Sequence, residues 1–306
     1  MRACIVFNPT ARGNKARRLQ TLLESFAGQC TLLPTPGPGT TAALAAQACR
    51  DGFDTVIAAG GDGTVSEVAH GLATVPGALD TVRLGVIPLG TMNVFARELG
   101  LPRSVPAAWQ TIQQGGETRV DLPQVELTAD GRRERKHFVQ LAGAGLDSRA
   151  IAAVDWRWKK RIGPLAYALA GFKAMRGPQP RVRVNADGRR AEGVLALLGN
   201  GRLYGGEVRM FPQSDLRDGR LEVRVFPRVT LLTLVRFAWG WLARRPLGES
   251  AASSLQGERV ELNCATPMPL ELDGDNAGHL PAVFTVRRVA LRVLVPAPGR
   301  TAPSAR

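Results

Sequence analysis

The stretch AAGGDGTVSEV, Ala58–Val68, places three glycines around one aspartate, directly after an apolar run and directly before a helical pattern. Gly60, Gly61 and Gly63 let the backbone turn freely and bring its N–H groups close to a bulky ligand. The N-terminus of the following helix adds partial positive charge, so an anion such as phosphate suits the junction. A carboxylate among phosphate-binding amides would repel that ligand unless a cation lies between them. Asp62 therefore implies Mg²⁺, or alternatively serves as the Asx residue of a tight turn. The spacing fits neither G-x-G-x-x-G nor a Walker loop. Thr64 and Glu67 form T-x-x-E, the pattern of a capping box, which assigns Glu67 to the helix start rather than to chemistry.

A second acidic constellation occurs late in the chain. In SDLRDGRLEV, Asp218-Gly219 reads as a hairpin turn leading into a strand, and in LELDGDNAG, Asp275 lies either in a polar turn or at a reacting centre.

The elements that must position these residues fall into two patterns. In the first third, strands (ACIVF, CTLLP, DTVIAA, VRLGVIPL) alternate with helices (NKARRLQTLLESF; TAALAAQACR, with Thr40 or Thr41 as N-cap; VSEVAHGL; NVFARELG). Strands apolar throughout and separated by helices predict a parallel sheet covered on both faces. Beyond about residue 117 the rhythm changes to strand-like segments with period-two alternation, among them TRVDLPQVEL, RKHFVQLAG, RVRVNADG, GRLEVRVF and AVFTVRRVALRVLV. Two helical inserts interrupt them, GPLAYALAGFKAMR and TLLTLVRFAWGWLARR. The expected domains are an α/β unit over 1–117, a β-rich unit over 118–296 and a disordered tail over 297–306.

The 306 residues are 44% hydrophobic and carry a formal net charge of +14, which favours anionic partners. No stretch is long and continuous enough to span a bilayer, and the apolar N-terminal run reads as a buried strand rather than a signal peptide. Cys4, Cys30, Cys49 and Cys264 lack C-x-x-C spacing, which suggests reduced thiols in a cytoplasmic compartment. Nucleic-acid binding is not expected, because charge alone supports it and no recognised module is present.

The motifs NPTARG, GGDGTVSEV, PLGTMNVFARELGLP, AGAGLDSRAI, LGNGRLYGGEVRMFPQSDLRDGRLEV and LDGD, in that order, resemble the diacylglycerol kinase catalytic-domain family of bacterial lipid kinases, which is related to sphingosine kinases. The resemblance runs from Ile5 to about Val295. It implies a Rossmann-like α/β ATP-binding domain of the NAD kinase and diacylglycerol kinase type, then a β-sandwich domain, with the active site in the cleft between them. It places Asn8, Thr35 (seven residues before AALA), Gly60, Gly61, Asp62, Gly63, Thr64, Val65, Ser66 and Thr91 around ATP. For Thr35 and Thr91 taken singly, helix capping is the ordinary reading. A structural Mg²⁺ would be held by Asp218 and by the carbonyls of Asp215 and Arg220.

The family base is the glutamate of D-G-E, and here Asp275 stands in its place. Aspartate ionises much as glutamate does but is shorter by roughly 1.5 Å, which matters to a base that must reach its proton. Val94 likewise stands where many relatives carry aspartate, while Asn93 is kept. The implied activity is transfer of the γ-phosphoryl of ATP to a lipid hydroxyl, diacylglycerol-like or sphingoid, with Asp62 and Asp275 as the catalytic carboxylates. Two alternatives stay open: a non-catalytic nucleotide- or lipid-binding relative, and an NAD kinase-like enzyme.

Trp156 and Trp158 among Arg157, Lys159, Lys160 and Arg161, and Phe237, Trp239 and Trp241 near Arg244 and Arg245, suit the headgroup zone of an anionic membrane or, equally, helices packed on the sandwich. The expectation is a cytoplasmic protein reversibly bound to the inner membrane face. Edge strands could also pair in a homodimer.

Overall fold

The computed structural model describes residues 1–9, 21, 24–26, 28–129, 131–145, 180–230 and 252–297, in two compact units. The first takes Met1–Leu122, His137–Val139 and the described residues from Arg288 onward; the second takes Pro123–Lys136 and the described part of Gln140–Arg287. Most of the first helix expected from the sequence, both aromatic–basic helices and the C-terminal tail lie outside the described residues.

In the first unit, strands β1 (Ala3–Phe7), β2 (Thr31–Pro34), β3 (Thr55–Gly60) and β4 (Arg83–Pro88) pair in parallel in the order β2-β1-β3-β4. The helices are α1 (Thr41–Arg50), α2 (Asp62–Thr74), α3 (Ala78–Thr81), α4 (Val94–Glu98) and α5 (Val105–Gln114). Alternation along each strand sends Ile5, Phe7, Ile57 and Ile87 to one face, where they pack with Trp109 and Ile112 of α5. Phe26 stacks on Trp109 at 4.6 Å between ring centroids. The opposite face packs under α1 and α2, which approach closely. A Cβ on Gly71 would stand 2.3 Å from the carbonyl oxygen of Ala42. Burial of central strands on both faces explains their unbroken apolar runs.

Two local expectations are corrected. Helix α2 begins at Asp62, with Gly61 at the N-cap and no side-chain cap, so Thr64 lies inside the first turn and the T-x-x-E pair forms no capping box. Thr40 does take the N-cap position of α1, but its hydroxyl donates to the carbonyl of Gly37 at 2.7 Å instead of capping.

The second unit contains β5 (Gly116–Ala129, entering from the first unit), β6 (Arg132–His137), β7 (Leu141–Gly145), β8 (Val182–Ala186), β9 (Arg189–Gly193), β10 (Leu195–Gly199), β11 (Leu203–Tyr204), β12 (Val208–Arg209), β13 (Leu221–Phe226), β14 (Ser253–Gly257), β15 (Arg259–Cys264), β16 (Pro269–Leu272) and β17 (Asp275–Val295). RKHFVQLAG, read as one strand, is two, because Phe138–Gln140 leave the ladder between β6 and β7.

One antiparallel run is β14-β13-β10-β7-β16-β17, and the other is β9-β8-β15-β17-β5-β6. Strand β17 serves both: Asp275–His279 pair with β16 and Ala282–Thr285 with β15. Phe211 packs so tightly over β10 that a Cβ on Gly199 would meet its ring at 2.3 Å. Farther on, β17 returns to the first unit, where Val293 pairs in parallel with Leu84.

At that return, Val289 has a φ of 43°, a conformation strained for a β-branched residue. Its N–H donates to the carboxylate of fully buried Asp121 at 2.6 Å. Asp121→Ala should cost about 2 kcal/mol, since it removes a hydrogen bond from a backbone amide to a buried carboxylate. Asp121→Asn, which keeps an acceptor, should cost less; urea titration of the two variants checks the order.

Candidate active site

In the first unit β1 has β2 on one side and β3 on the other, so the chain reverses its winding direction there. In open parallel sheets ligands bind at the carboxyl ends of the strands flanking such a point. The registers Phe7↔Pro34, Phe7↔Ala59 and Gly60↔Pro88 end the four strands level with one another. Asn8, Thr35, Gly60 and the loop carrying Thr91 therefore form one row about 14 Å long, three strand spacings. Asn8 and Thr91 are exposed, Gly60–Thr64 half-buried, and Thr35, Val65 and Ser66 buried. Of the other first-unit positions expected around the nucleotide, Gly61 follows β3 directly and Asp62, Gly63, Thr64, Val65 and Ser66 lie in the first turns of α2.

The backbone of the two central loops is tightly constrained. Gly60 lies beneath Thr64, whose side chain would meet a Cβ there at 2.2 Å. Gly61 and Gly90 pack backbone to backbone, and a Cβ on Gly90 would stand 2.6 Å from the Cα of Gly61 and from Oδ1 of Asn93. Asn93 adopts the left-handed conformation at the start of α4, and its amide nitrogen donates to the carbonyl of Gly90 at 2.8 Å. The guanidinium of Arg97 holds the carbonyl of Met92 at 2.6 Å. Gly61 provides no side-chain cap for the thirteen-residue helix α2, so its first turn suits an anionic ligand. Gly90→Ala should force the two loops apart and weaken the nucleotide binding expected at this edge at least ~10-fold by calorimetry, with only a modest loss of thermal stability.

Asp62 has a partner that the sequence did not reveal. Its Oδ1 accepts the N–H of Phe95 at 3.1 Å, so the carboxylate bridges the glycine loop to the N-terminus of α4. Burial pushes its pKa up, and the opposing influences are all backbone amides, those of Val94 and Phe95 first. Among the described residues, no arginine or lysine figures in the electrostatics of this buried carboxylate. A divalent cation fits beside it, as does the hard oxygen of a carboxylate as a donor.

The second unit's carboxylates are arranged differently. Asp218 Oδ1 accepts from the N–H of Arg220 at 2.8 Å, and Asp215 Oδ1 from the N–H of Arg217 at 3.0 Å. Arg202 approaches Asp215 at 3.6 Å. Gly219, with φ 75°, completes a tight turn. The donors expected from the sequence, the Asp218 carboxylate and the carbonyls of Asp215 and Arg220, are all oxygen, a set suited to Mg²⁺. Among the described residues no three His, Cys, Asp or Glu side chains converge as a metal cluster, so backbone would have to supply the remaining ligands.

Asp275 is exposed and opens β17 directly after a two-residue turn, Asp273-Gly274, with φ values of 47° and 92°. These belong to a type I′ hairpin. Asp273 is buried, and its Oδ1 accepts the N–H groups of Gln140 at 3.0 Å and Leu141 at 2.9 Å. The sequence by itself assigned no role to Gly90 or Asp273, although the glycine of PLGT and the Asp-Gly after a strand were both visible in it.

Known proteins bear on this arrangement. The model of the diacylglycerol kinase catalytic domain matches residues 2–125, and that of the YegS C-terminal NAD kinase beta sandwich-like domain matches residues 140–295. A diacylglycerol kinase of Bacillus subtilis (strain 168) is 32% identical over 303 residues, covering 96% of each chain. The chain belongs to the diacylglycerol kinase family. A Staphylococcus saprophyticus diacylglycerol kinase is 29% identical over 306 residues, covering 96% of this chain and 95% of its own.

The crystal structure of a Bacillus anthracis (strain Sterne) diacylglycerol kinase superposes with a TM-score of 0.72 at 22% identity, covering 96% of both chains. Yeast NADH kinase complexed with NADH superposes with a TM-score of 0.54 at 9% identity, covering 97% of this chain and 84% of its own, which is a likeness of fold alone. The parallel-sheet unit and the β-sandwich unit are thus those of the lipid-kinase family.

Proposed function

We propose that this diacylglycerol kinase family member transfers the γ-phosphoryl group of ATP to the hydroxyl of a lipid, diacylglycerol-like or sphingoid. The observation that carries the reading is the level row of strand ends above the uncapped N-terminus of α2. This cradle of backbone donors is made for phosphates. The amides of Gly60–Ser66 bind the phosphates, while Asn8, Thr35 and Thr91 hold the rest of the nucleotide.

In the reaction the lipid hydroxyl oxygen forms a bond to the γ-phosphorus and the bond to the β-phosphate oxygen breaks. ADP leaves, and the hydroxyl proton passes to the carboxylate of Asp275. Mg²⁺ held near Asp62 would neutralise charge on the phosphates. A second ion, structural in role, would be held by Asp218 and the carbonyls of Asp215 and Arg220.

The acceptor dissolves in membranes, and no described helix is long and apolar enough to cross one. Reversible docking on the inner face of an anionic membrane from the cytoplasm is the corresponding expectation. The aromatic–basic segments around Trp156–Arg161 and Phe237–Arg245 are the surfaces proposed for it. Co-sedimentation with vesicles should rise with anionic lipid content and fall with salt. Indifference to both would count against docking through charge.

The test of activity is incubation with Mg²⁺ and γ-labelled ATP, with a total lipid extract or, separately, NAD. Label entering a chloroform-soluble product supports the lipid kinase and names the acceptor. Label entering NAD overturns it, and bound ATP with no transfer at all points to a non-catalytic relative.

A further inference from the structure

Two hairpins of the second unit are built alike. Asp187-Gly188 joins Ala186 to Arg189 with φ values of 48° and 87°, and Asp273-Gly274 joins Leu272 to Asp275 with 47° and 92°. In each, the left-handed aspartate turns its carboxylate back onto two successive backbone amides of a neighbouring segment. Asp187 accepts from Glu258 at 2.8 Å and Arg259 at 3.0 Å. Asp273 accepts from Gln140 at 3.0 Å and Leu141 at 2.9 Å. The aspartate N–H adds a third bond in both, to the carbonyl of Arg259 at 3.1 Å and of Leu141 at 2.9 Å.

The hairpins differ in depth and in the residue that leaves the turn. Asp187 clamps exposed backbone, and its turn leads into exposed Arg189. Asp273 clamps buried backbone, and its turn leads into Asp275. The second turn is also held from its other side, where Oε1 of buried Glu271 accepts the N–H of Gly274 at 2.9 Å. Beyond the clamp, Gln140 is tied in turn: its carbonyl accepts from Asn200 at 2.8 Å, and its side-chain amide donates to the carbonyl of Leu203 at 3.1 Å. The tip of this hairpin is therefore fixed to the body of the unit within two residues of Asp275.

We infer that Asp273 is a positioning residue, whose clamp on the Gln140 and Leu141 amides sets where the Asp275 carboxylate stands relative to the acceptor hydroxyl. The inference rests on the role proposed for Asp275. A short side chain on a rigid backbone has little freedom to correct a misplaced tip, and a displacement of an ångström costs a proton acceptor much of its effect. Asp187, with the same turn and no reacting group after it, is the internal control.

The experiment compares Asp273→Ala, Asp273→Asn, Asp187→Ala and Asp275→Asn by lipid-kinase kinetics and by hydrogen exchange over 270–279. Asp273→Ala should lower kcat about 100-fold with KM for ATP unchanged, and should speed exchange over 270–279 about tenfold. Asp273→Asn keeps an oxygen for the two amides and should recover most of the lost turnover. Asp187→Ala should leave kcat at the wild-type value.

Faster exchange with undiminished kcat, in a preparation that Asp275→Asn inactivates, would overturn the positioning role and leave the function standing. Unchanged exchange in Asp273→Ala would overturn the clamp itself. Wild-type turnover by Asp275→Asn, or no lipid phosphorylation by the wild type, would overturn the underlying functional reading instead.

Discussion

Asp275→Asn is expected to cut phosphoryl transfer at least ~100-fold while leaving ATP binding intact, the size of effect that a positioned general base supplies. Asparagine has nearly the same shape but takes no proton, so the change removes the proposed proton acceptor and little else. Asp275 is exposed at the first residue of its strand, and asparagine keeps the shape of the side chain and one acceptor oxygen. Its stability cost should therefore lie within ~0.5 kcal/mol, as for ordinary surface changes.

Asp275→Glu, which restores the usual family residue and adds about 1.5 Å of reach, should turn over at least as fast as wild type. Single-turnover kinetics with bound ATP check both. Near-wild-type transfer by the asparagine variant would remove Asp275 from the mechanism. A dead glutamate variant would show that the acceptor hydroxyl sits too close for the longer side chain.

The second large effect concerns Asp62. Asp62→Ala should abolish transfer, and Asp62→Asn should lower it at least ~100-fold, comparable to losing one preorganised electrostatic contact at a reacting phosphate. The two variants separate the bond to the Phe95 amide from the metal role proposed for the carboxylate. Asparagine still offers an oxygen to the Phe95 amide and keeps the bridge to α4, but it lacks the charge that a cation requires. Alanine loses both. If Asp62→Asn keeps wild-type turnover, the carboxylate serves only as a backbone acceptor and the metal role fails.

Stability should move the other way. Burial raises the pKa of Asp62 in the folded protein above that of an unfolded chain. The folded state therefore binds this proton more tightly. The corresponding stability is fully present below the ordinary carboxylate pKa of about 4, and it is lost as pH rises through the raised folded value. At neutral pH, without Mg²⁺, Asp62→Asn should therefore melt at or above the wild-type temperature. The gap should close as pH falls toward 4. Melting curves across pH, with and without Mg²⁺, test this. Added Mg²⁺ should stabilise the wild type more than the variant.

Much of this was legible before any coordinates. The apolar runs at Ala3–Phe7, Thr55–Gly60 and Arg83–Pro88, each leading into a loop and helix, announce a parallel sheet because burial on both faces leaves a strand no polar positions. The loops after such strands open on one edge by topology alone. Asn8, Thr35, Gly60 and Thr91 could therefore be grouped without knowing a single distance. The helix expected from Val65 starts three residues earlier, at Asp62, because Asp-Gly-Thr reads as loop chemistry. The N–H of Val65, which donates to the carbonyl of Gly61 at 3.1 Å, shows that the helix is already under way at Asp62.

What the sequence by itself determined were properties that each segment carries locally: its hydrophobic period, its turn dipeptides and the order of its motifs. The tertiary structure decided which distant backbone each carboxylate serves. Asp62 reaches Phe95, Asp273 reaches Gln140 and Leu141, and Asp121 reaches Val289. The glycine at 90 is required by the glycine at 61, and the chain from Arg288 returns to the first unit to lay Val293 beside Leu84. Such pairings join residues tens to hundreds of positions apart through unpaired amides and close backbone approach. A backbone N–H left unpaired by the fold has no signature in the residue that bears it, so its acceptor becomes visible only once the chain is folded.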